Sequence, residues 1–473
     1  LLLLLRSVTA CDDQPSYSQK DIDANVPLSG LDAKHFWLGT ATAPHQIEGG
    51  LNDDWTQWAY GNNPDGTPHI LNRESASIAC DSWNRWQEDI GAMQLLGVNA
   101  YRLGLDWSRL QSGPGQPLDS RVVARYREEL TALRAAGIRP VVTLYHFTLP
   151  TWAGDDSAKG WDSDATEDQL ADFAGKAGDA FGDLVDEWIT LNEPNVVAVN
   201  GWLRGQFPPG KSNDAKGMAH ALQHELHAHA KMVAALRAHD TVDADGDGKA
   251  TFIGIAHHVR IFESASASPL DEEITGITDT FFNASVPNSI RDGRIQLSVP
   301  GSVSVDEPMP SLKGSLDFLG INYYTRDFVR ADLSNPALSV QYTPSDRPTN
   351  SLGWDIYPEG LERSLIRFAR YNWPIVITEN GTTTLDDGAR ANFLRAHFYA
   401  LDRARTHDGV KVLGYLHWSL VDNFEWDEGY SAHFGLFAVD GLGDEFGTLY
   451  RTPRAQSVAL FQEAARNIGL QPQ

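Results

Sequence analysis

Eight short apolar runs recur along this 473-residue chain, and amphipathic stretches separate them. The runs cover residues 36–40, 100–105, 140–145, 185–191, 251–257, 316–322, 374–378 and 412–418. Runs this short and this continuously apolar read as strands buried on both faces. The stretches 82–96, 122–136, 167–181, 218–238, 358–371 and 389–406 carry helical periodicity, with Gly97, Gly137 and Gly182 near helix exits. Strand–helix alternation repeated eight times predicts the α/β class: a single (β/α)8 TIM barrel with long active-site loops, not two domains. Segments 258–315 and 324–353 break the pattern. Insertions of that length are expected to wall the active site.

A barrel keeps its chemistry where strands end, because the following loops converge on one face. Two glutamates stand at such ends, Glu193 after 185–191 and Glu379 after 374–378. They lie 379 − 193 = 186 residues apart, so only a closed fold brings them together. Two facing carboxyl groups are the minimal machinery for cleaving a glycosidic bond. The overall charge agrees with an uncharged ligand. Lys and Arg number 38 against 63 Asp and Glu, a balance of −25 that repels nucleic-acid phosphates and anionic membrane surfaces. Fourteen tryptophans offer flat faces on which sugar rings can stack, although tryptophan also fills cores.

Longer motifs carry a resemblance. Phe36-Trp37-Leu38-Gly39-Thr40-Ala41-Thr42-Ala43-Pro44-His45-Gln46-Ile47-Glu48-Gly49, Thr190-Leu191-Asn192-Glu193-Pro194, Thr378-Glu379-Asn380-Gly381 and the stretch 414–440 occur in one unbroken order. Together they resemble glycoside hydrolase family 1, the β-glucosidases and β-galactosidases, across about residues 31 to 466. The resemblance implies a catalytic domain over 31–473 and a retaining exo-β-glycosidase that needs no cofactor, acting on a small β-glycoside or oligosaccharide. A β-glucosidase is the leading expectation. A β-galactosidase or β-fucosidase of broad specificity, or a catalytically silent sugar-binding protein, is the alternative.

By the same resemblance Glu379 is the nucleophile and Glu193 the acid/base, protonated at rest while Glu379 stays ionised. Arg85 is expected to lie against Glu379, Tyr324 to hold the same carboxylate, and Asn192 to reach the sugar 2-hydroxyl. Gln46, His146, Glu425 and Trp426 are expected to bind sugar hydroxyls, with Trp418 beneath the ring and Trp354 beside the leaving group. Glu425 argues against a phosphorylated substrate, because a carboxylate there repels phosphate. Phe147 and His45 depart from the family pattern, where tryptophan and tyrosine are usual.

Two further features stand apart. Asp243, Asp245 and Asp247 alternate before Gly248 as in calcium loops, but Gly254 occupies the twelfth position where an EF-hand needs Glu. A structural calcium ion is one expectation and a solvated acidic turn the other. At the start, Leu1–Leu5 precede Val8-Thr9-Ala10-Cys11, which resembles the end of a bacterial lipoprotein signal. Residues 1–11 then form a signal remnant with a lipid anchor on Cys11, and 12–30 a flexible tether. That reading implies a bacterial cell envelope location, periplasmic or membrane-anchored. Otherwise the expectation is cytoplasmic.

Overall fold

The structure, a computed structural model, describes residues 15–154, 160–332 and 347–473. Eight parallel strands close into a barrel. They are β1 (Trp37–Ala41), β2 (Ala100–Gly104), β3 (Arg139–Tyr145), β4 (Glu187–Asn192), β5 (Phe252–Ser264), β6 (Phe318–Val329), β7 (Ile375–Asn380) and β8 (Val412–Trp418). Each pairs with its neighbour in chain order, and β8 closes on β1 in a register that sets Trp37 opposite Gly414 and Ala41 opposite Trp418.

The two faces of the strands build two cores. Inside the barrel, each strand supplies one residue to an apolar plug: Ala41, Ala100, Val141, Ile189, Ala256, Phe318, Val376 and Leu416. Small residues beside large ones fill the tapering interior, so the barrel is solid below its upper rim. Outside, the opposite strand faces pack against helices such as Ala215–His239 and Asp387–Thr406. Leu222, Leu226 and Val233 on the first of these are buried, each contributing roughly 1.5–3 kcal/mol. Gly381 shows how tightly the top is built. A Cβ there would collide with the carbonyl oxygen of Trp418, so the strand carrying Glu379 lies directly against the one carrying the tryptophan.

Three expectations need correction. β5 and β6 continue beyond 257 and 322 as a two-stranded ribbon, pairing Ile261 with Arg326 through Ser264 with Val329. Charged residues in that extension, such as Arg260, Glu263 and Asp327, interrupt the apolar signal, and the ladder shifts register between Val259 and Ile261 before it continues. Segment 258–315 is not irregular: it holds helices Pro269–Asp279 and Ser285–Asp292 and an antiparallel hairpin of Arg294–Val299 with Val303–Pro308. Its helical part reaches the cavity through Thr278, Phe281 and Phe282, whereas Glu307 of the hairpin joins Gln223 on the barrel's outer helix. The tether expected over 12–30 is, from residue 15, a packed segment. A helix, Gln19–Ala24, is capped by Ser18, Ile22 and Leu28 are buried, and Asp402 accepts from the Leu28 N–H at 2.9 Å. Residues 1–11, with Cys11, lie outside the described residues.

Candidate active site

Above the apolar plug the barrel interior turns polar. Arg102 on β2 is fully buried and spreads its guanidinium across the barrel. Its Nε donates to Thr143 Oγ1 at 3.0 Å, one Nη to Asn192 Oδ1 at 2.7 Å, and the other pairs with Glu379 Oε1. Tyr324 donates its hydroxyl to Glu379 Oε2 at 2.7 Å. Both oxygens of Glu379 are thus occupied by donors from strands β2 and β6.

Glu193 stands one residue beyond β4 with φ 47°, a left-handed conformation that is costly for a non-glycine residue. Its N–H bonds Ala256 O at 2.7 Å, and Pro194 opens the helix that follows. The turn sends the carboxyl into the cavity instead of along the strand. Glu193 Oε1 accepts from Asn322 Nδ2 at 2.7 Å and faces His258 Nδ1 at 2.9 Å. Asn322 is itself oriented by Thr378, whose hydroxyl donates to Asn322 Oδ1 at 2.6 Å. One cavity is lined by both glutamates together with Asn192, His146, Tyr324, Trp354, Trp418, Glu425 and Trp426.

Arg85 is a correction. It lies on the helix Ser82–Leu96 outside the barrel, where it pairs with Glu88 at 2.8 Å and donates to Thr448 O. A side chain on that helix is separated from Glu379 by the strand wall, and Arg102 takes the place expected for it. The signal was visible: Arg102 is the one charge inside the otherwise apolar run 100–105. Asn322 closes the predicted run 316–322 and His258 follows the run 251–257, so both stand at expected strand ends with nothing to mark their role, and Arg260 lies on the part of β5 beyond that run.

The remaining predicted sugar contacts come together. Asn192 Nδ2 donates to His146 Nε2 at 3.1 Å, which fixes a neutral ring with its proton on Nδ1. Burial, with the charge of Arg102, lowers the basicity of His146 and keeps it uncharged. Its Nδ1 is buried without a partner among the described residues, and so is Gln46 Oε1. One is a donor and the other an acceptor, the pair that a polyhydroxyl ligand can satisfy. Gln46 stands behind Glu425, its Nε2 3.2 Å from Glu425 Oε2. His45, the departure at that turn, pairs with Asp53 and stacks on Trp426 at 5.7 Å, bracing the ring from behind. Phe147 packs on Trp426 at 4.8 Å.

Burial and charged neighbours act on both glutamates of the unliganded pocket, and the order of the two turns on the charge of His258. Burial lifts Glu379 to about 7 against the charge of Arg102, the charge of Glu193 adds to the rise, and donation from Tyr324 opposes it. Burial also raises Glu193, while donation from His258 and Asn322, the charge of Arg102 and, only if its ring is protonated, the charge of His258 lower it. The expectation counted the partners of Glu379 and left out burial, which acts on both groups, and His258 beside Glu193. Glu425 is pushed to about 8 by burial and by the charges of Glu379 and Asp427.

The acidic turn lies before β5, at the barrel end opposite the cavity. Asp243 accepts from the N–H groups of Gly246, Asp247 and Gly248, Asp247 from that of Lys249, and Asp245 pairs with Arg139 at 2.7 Å. Asp186, which the sequence reading did not include, joins Asp243 and Asp245 in a group of close carboxylate oxygens; Asp247 does not.

Comparison with known proteins agrees with this geometry. Residues 31–470 match the profile of Glycosyl hydrolase family 1. The chain is 36% identical to Beta-glucosidase A of Thermotoga maritima, over 86% of this chain and 92% of that one. It is 30% identical to a Beta-galactosidase of Pyrococcus woesei, over 92% and 97%. The solved family 1 β-glucosidase from Thermotoga maritima superposes with a TM-score of 0.82 at 31% identity, covering 94% of this chain and all (100%) of that one. The same Thermotoga enzyme has been solved with glucoimidazole, and that structure superposes with a TM-score of 0.80 at 31% identity, over 93% and 99%. A closed barrel, two glutamates at the ends of β4 and β7, and a sequence match along nearly the whole chain place this protein in glycosyl hydrolase family 1.

Proposed function

We propose that the protein is a retaining exo-β-glycosidase of the β-glucosidase type. The observation that carries this reading is the unequal dressing of two buried carboxyls in one cavity. Glu379 attacks the anomeric carbon while Glu193 protonates the departing glycosidic oxygen, leaving a glycosyl ester on Glu379. Glu193 then takes a proton from water, water attacks the same carbon, and Glu379 leaves as a carboxylate. Two inversions give net retention. Arg102 and Tyr324 both donate hydrogen bonds to Glu379 and neither donates one to Glu193, so the one negative charge of the loaded pair is best accommodated there. Buried Trp418 and Gln46 with half-buried Glu425 close the floor, which favours entry by a sugar terminus. No cofactor takes part in these steps.

Hydrolysis of 4-nitrophenyl β-glucoside by wild type, Glu193→Ala and Glu379→Ala tests the proposal. Azide should rescue Glu379→Ala with an α-glycosyl azide and Glu193→Ala with a β-glycosyl azide. Wild-type inactivity across β-glycosides would favour a silent sugar-binding protein. Relatives named for glucoside, galactoside and fucoside activity make kcat/KM across those sugars and mannoside the test of glycone choice.

Two finer readings accompany it. A structural calcium ion at Asp186, Asp243 and Asp245 is supported by Asp186 Oδ2, which is buried beside the turn without a partner among the described residues. Asp186 would supply the carboxylate that Gly254 cannot. Calcium should raise the melting temperature of wild type and not of Asp186→Asn; no shift in wild type removes the ion. A lipid anchor on Cys11 rests on the sequence alone, and detergent-phase partitioning lost in Cys11→Ala would establish it.

A further inference from the structure

Behind Glu193 runs a chain of side chains that the reaction as described does not use. Asp327 on β6 holds Arg260 on β5 at 2.7 Å, and Arg260 Nε lies 3.1 Å from His258 Nε2. His258 Nδ1 in turn faces Glu193 Oε1 at 2.9 Å. The guanidinium also lies over the Trp354 ring, 5.5 Å from its centre, so its plane is fixed from a third side.

The protonation pattern follows from donor chemistry. An arginine Nε–H can only donate, so His258 Nε2 must accept with its lone pair. A ring that accepts at Nε2 is neutral and carries its proton on Nδ1, which then donates to Glu193 Oε1. That oxygen already accepts from Asn322. With two donors on Oε1, an acid proton on Glu193 has only Oε2 to occupy. Among the described residues Oε2 has no hydrogen-bond partner, and it is not among the sealed polar atoms, so it opens to the cavity.

We propose that Arg260, anchored by Asp327, locks His258 as the neutral Nδ1–H tautomer and thereby places the transferable proton of Glu193 on Oε2. This rests on the reading of Glu193 as the acid/base. His258 and Arg260 are positioning residues in it. The lock also removes the cationic ring that would hold Glu193 deprotonated, so the acid can be loaded at rest. The other charges facing Glu193 come from Arg102 on β2, Glu379 on β7 and Glu425 after β8. His258 is otherwise bounded by the rings of Tyr324 and Phe282, with His257 buried on the other side of β5.

Nitrogen-15 NMR of histidine-labelled protein reads the tautomer without substrate, the His258 signals being identified by their loss in His258→Asn. The expected result is a neutral Nδ1–H ring from pH 5 to 8. An Nε2–H ring, or an imidazolium in that range, overturns the proposal. Activity supplies the second arm. In Arg260→Met the freed Nε2 can take a proton, so the alkaline limb of kcat/KM should move to lower pH by about one unit. In His258→Asn an amide replaces the donor to Oε1 and no ring can charge, so that limb should stay where wild type has it. Asp327→Asn serves if Arg260→Met does not fold. An unmoved alkaline limb in a folded Arg260→Met or Asp327→Asn protein overturns the proposal. Full activity of Glu193→Ala would instead remove the acid/base reading, whatever tautomer NMR reports.

Discussion

Glu379 and Glu193 are both buried, both at strand ends and both beside Arg102, yet their oxygens are dressed differently. Glu379 has a donor on each oxygen, Arg102 on one and Tyr324 on the other. Burial lifts the Tyr324 hydroxyl far above its ordinary range, as does the Glu379 charge, so it remains a donor throughout. Glu193 has both its donors on one oxygen and leaves the second open. A carboxylate saturated on both sides is built to stay a carboxylate. One saturated on a single side can carry a proton on the other. The division of labour lies in that count, because burial alone acts on both groups in the same direction.

Removing either carboxyl is the hardest test of this division. Glu379→Ala should lose activity by at least roughly 10⁴-fold on every substrate, since no glycosyl ester can form. Glu193→Ala should lose about 10²–10⁴-fold on alkyl glucosides and far less in the first step with a 2,4-dinitrophenyl leaving group, which needs no proton. Burst kinetics with the activated substrate separate the two steps. Equal losses on both substrates would deny Glu193 its proton-transfer role.

The next contrast sets Arg102 against Arg85. Arg102→Met leaves Glu379 buried without its charge partner, so Glu379 rises above the value of about 7 it has with that partner. The acid limb of kcat/KM should therefore move to higher pH, with a loss on the order of 10²–10³-fold in the plateau. Arg85→Met breaks a pair whose glutamate is 45% exposed and should change stability by less than about 1 kcal/mol, with the pH profile intact. A moved profile in Arg85→Met would reverse the assignment. Tyr324→Phe is milder: one hydrogen bond to a charged oxygen is worth about 1.5–3 kcal/mol, or roughly 10–100-fold in kcat/KM.

These contrasts also mark what could be read before the fold was known. Strand positions, both glutamates, Tyr324 and the aromatic wall were legible, because buried strands and long motifs write themselves locally. Arg85 was misplaced because a motif says which residues are near in sequence, and the partner of Glu379 is chosen by the barrel's curvature, which brings β2 beside β7's carboxyl across the interior. Arg260 was illegible for another reason. Its strand leaves the apolar barrel and becomes a partly polar ribbon, so the period that reveals a buried strand fades where the residues begin to matter, while for His257 and His258 at the end of the apolar run alternation says only that at most one turns inward. Asp186 shows the same limit at the other end of the barrel: the loop read alone lacked the carboxylate that the neighbouring strand start brings beside Asp243 and Asp245.

Glu425 gives the smallest and most separable effect, on binding and not on the chemical step. Burial first, then the charges of Glu379 and Asp427, lift it to about 8, so near neutrality it is mostly protonated in the empty pocket. Sugar hydroxyls that donate to it select the ionised form. Binding must then release a proton below pH 8 and release none well above it. Affinity for glucose as a competitive inhibitor should therefore tighten as pH rises, by roughly fivefold between pH 7 and pH 8. In Glu425→Gln the inhibition should be weaker and flat with pH over this interval, because an amide neither gains nor loses a proton there. If inhibition of the wild type is equally flat, Glu425 binds the sugar as the neutral acid, and the glycone floor then contributes no charge to holding Glu379 and Glu193 apart in their protonation.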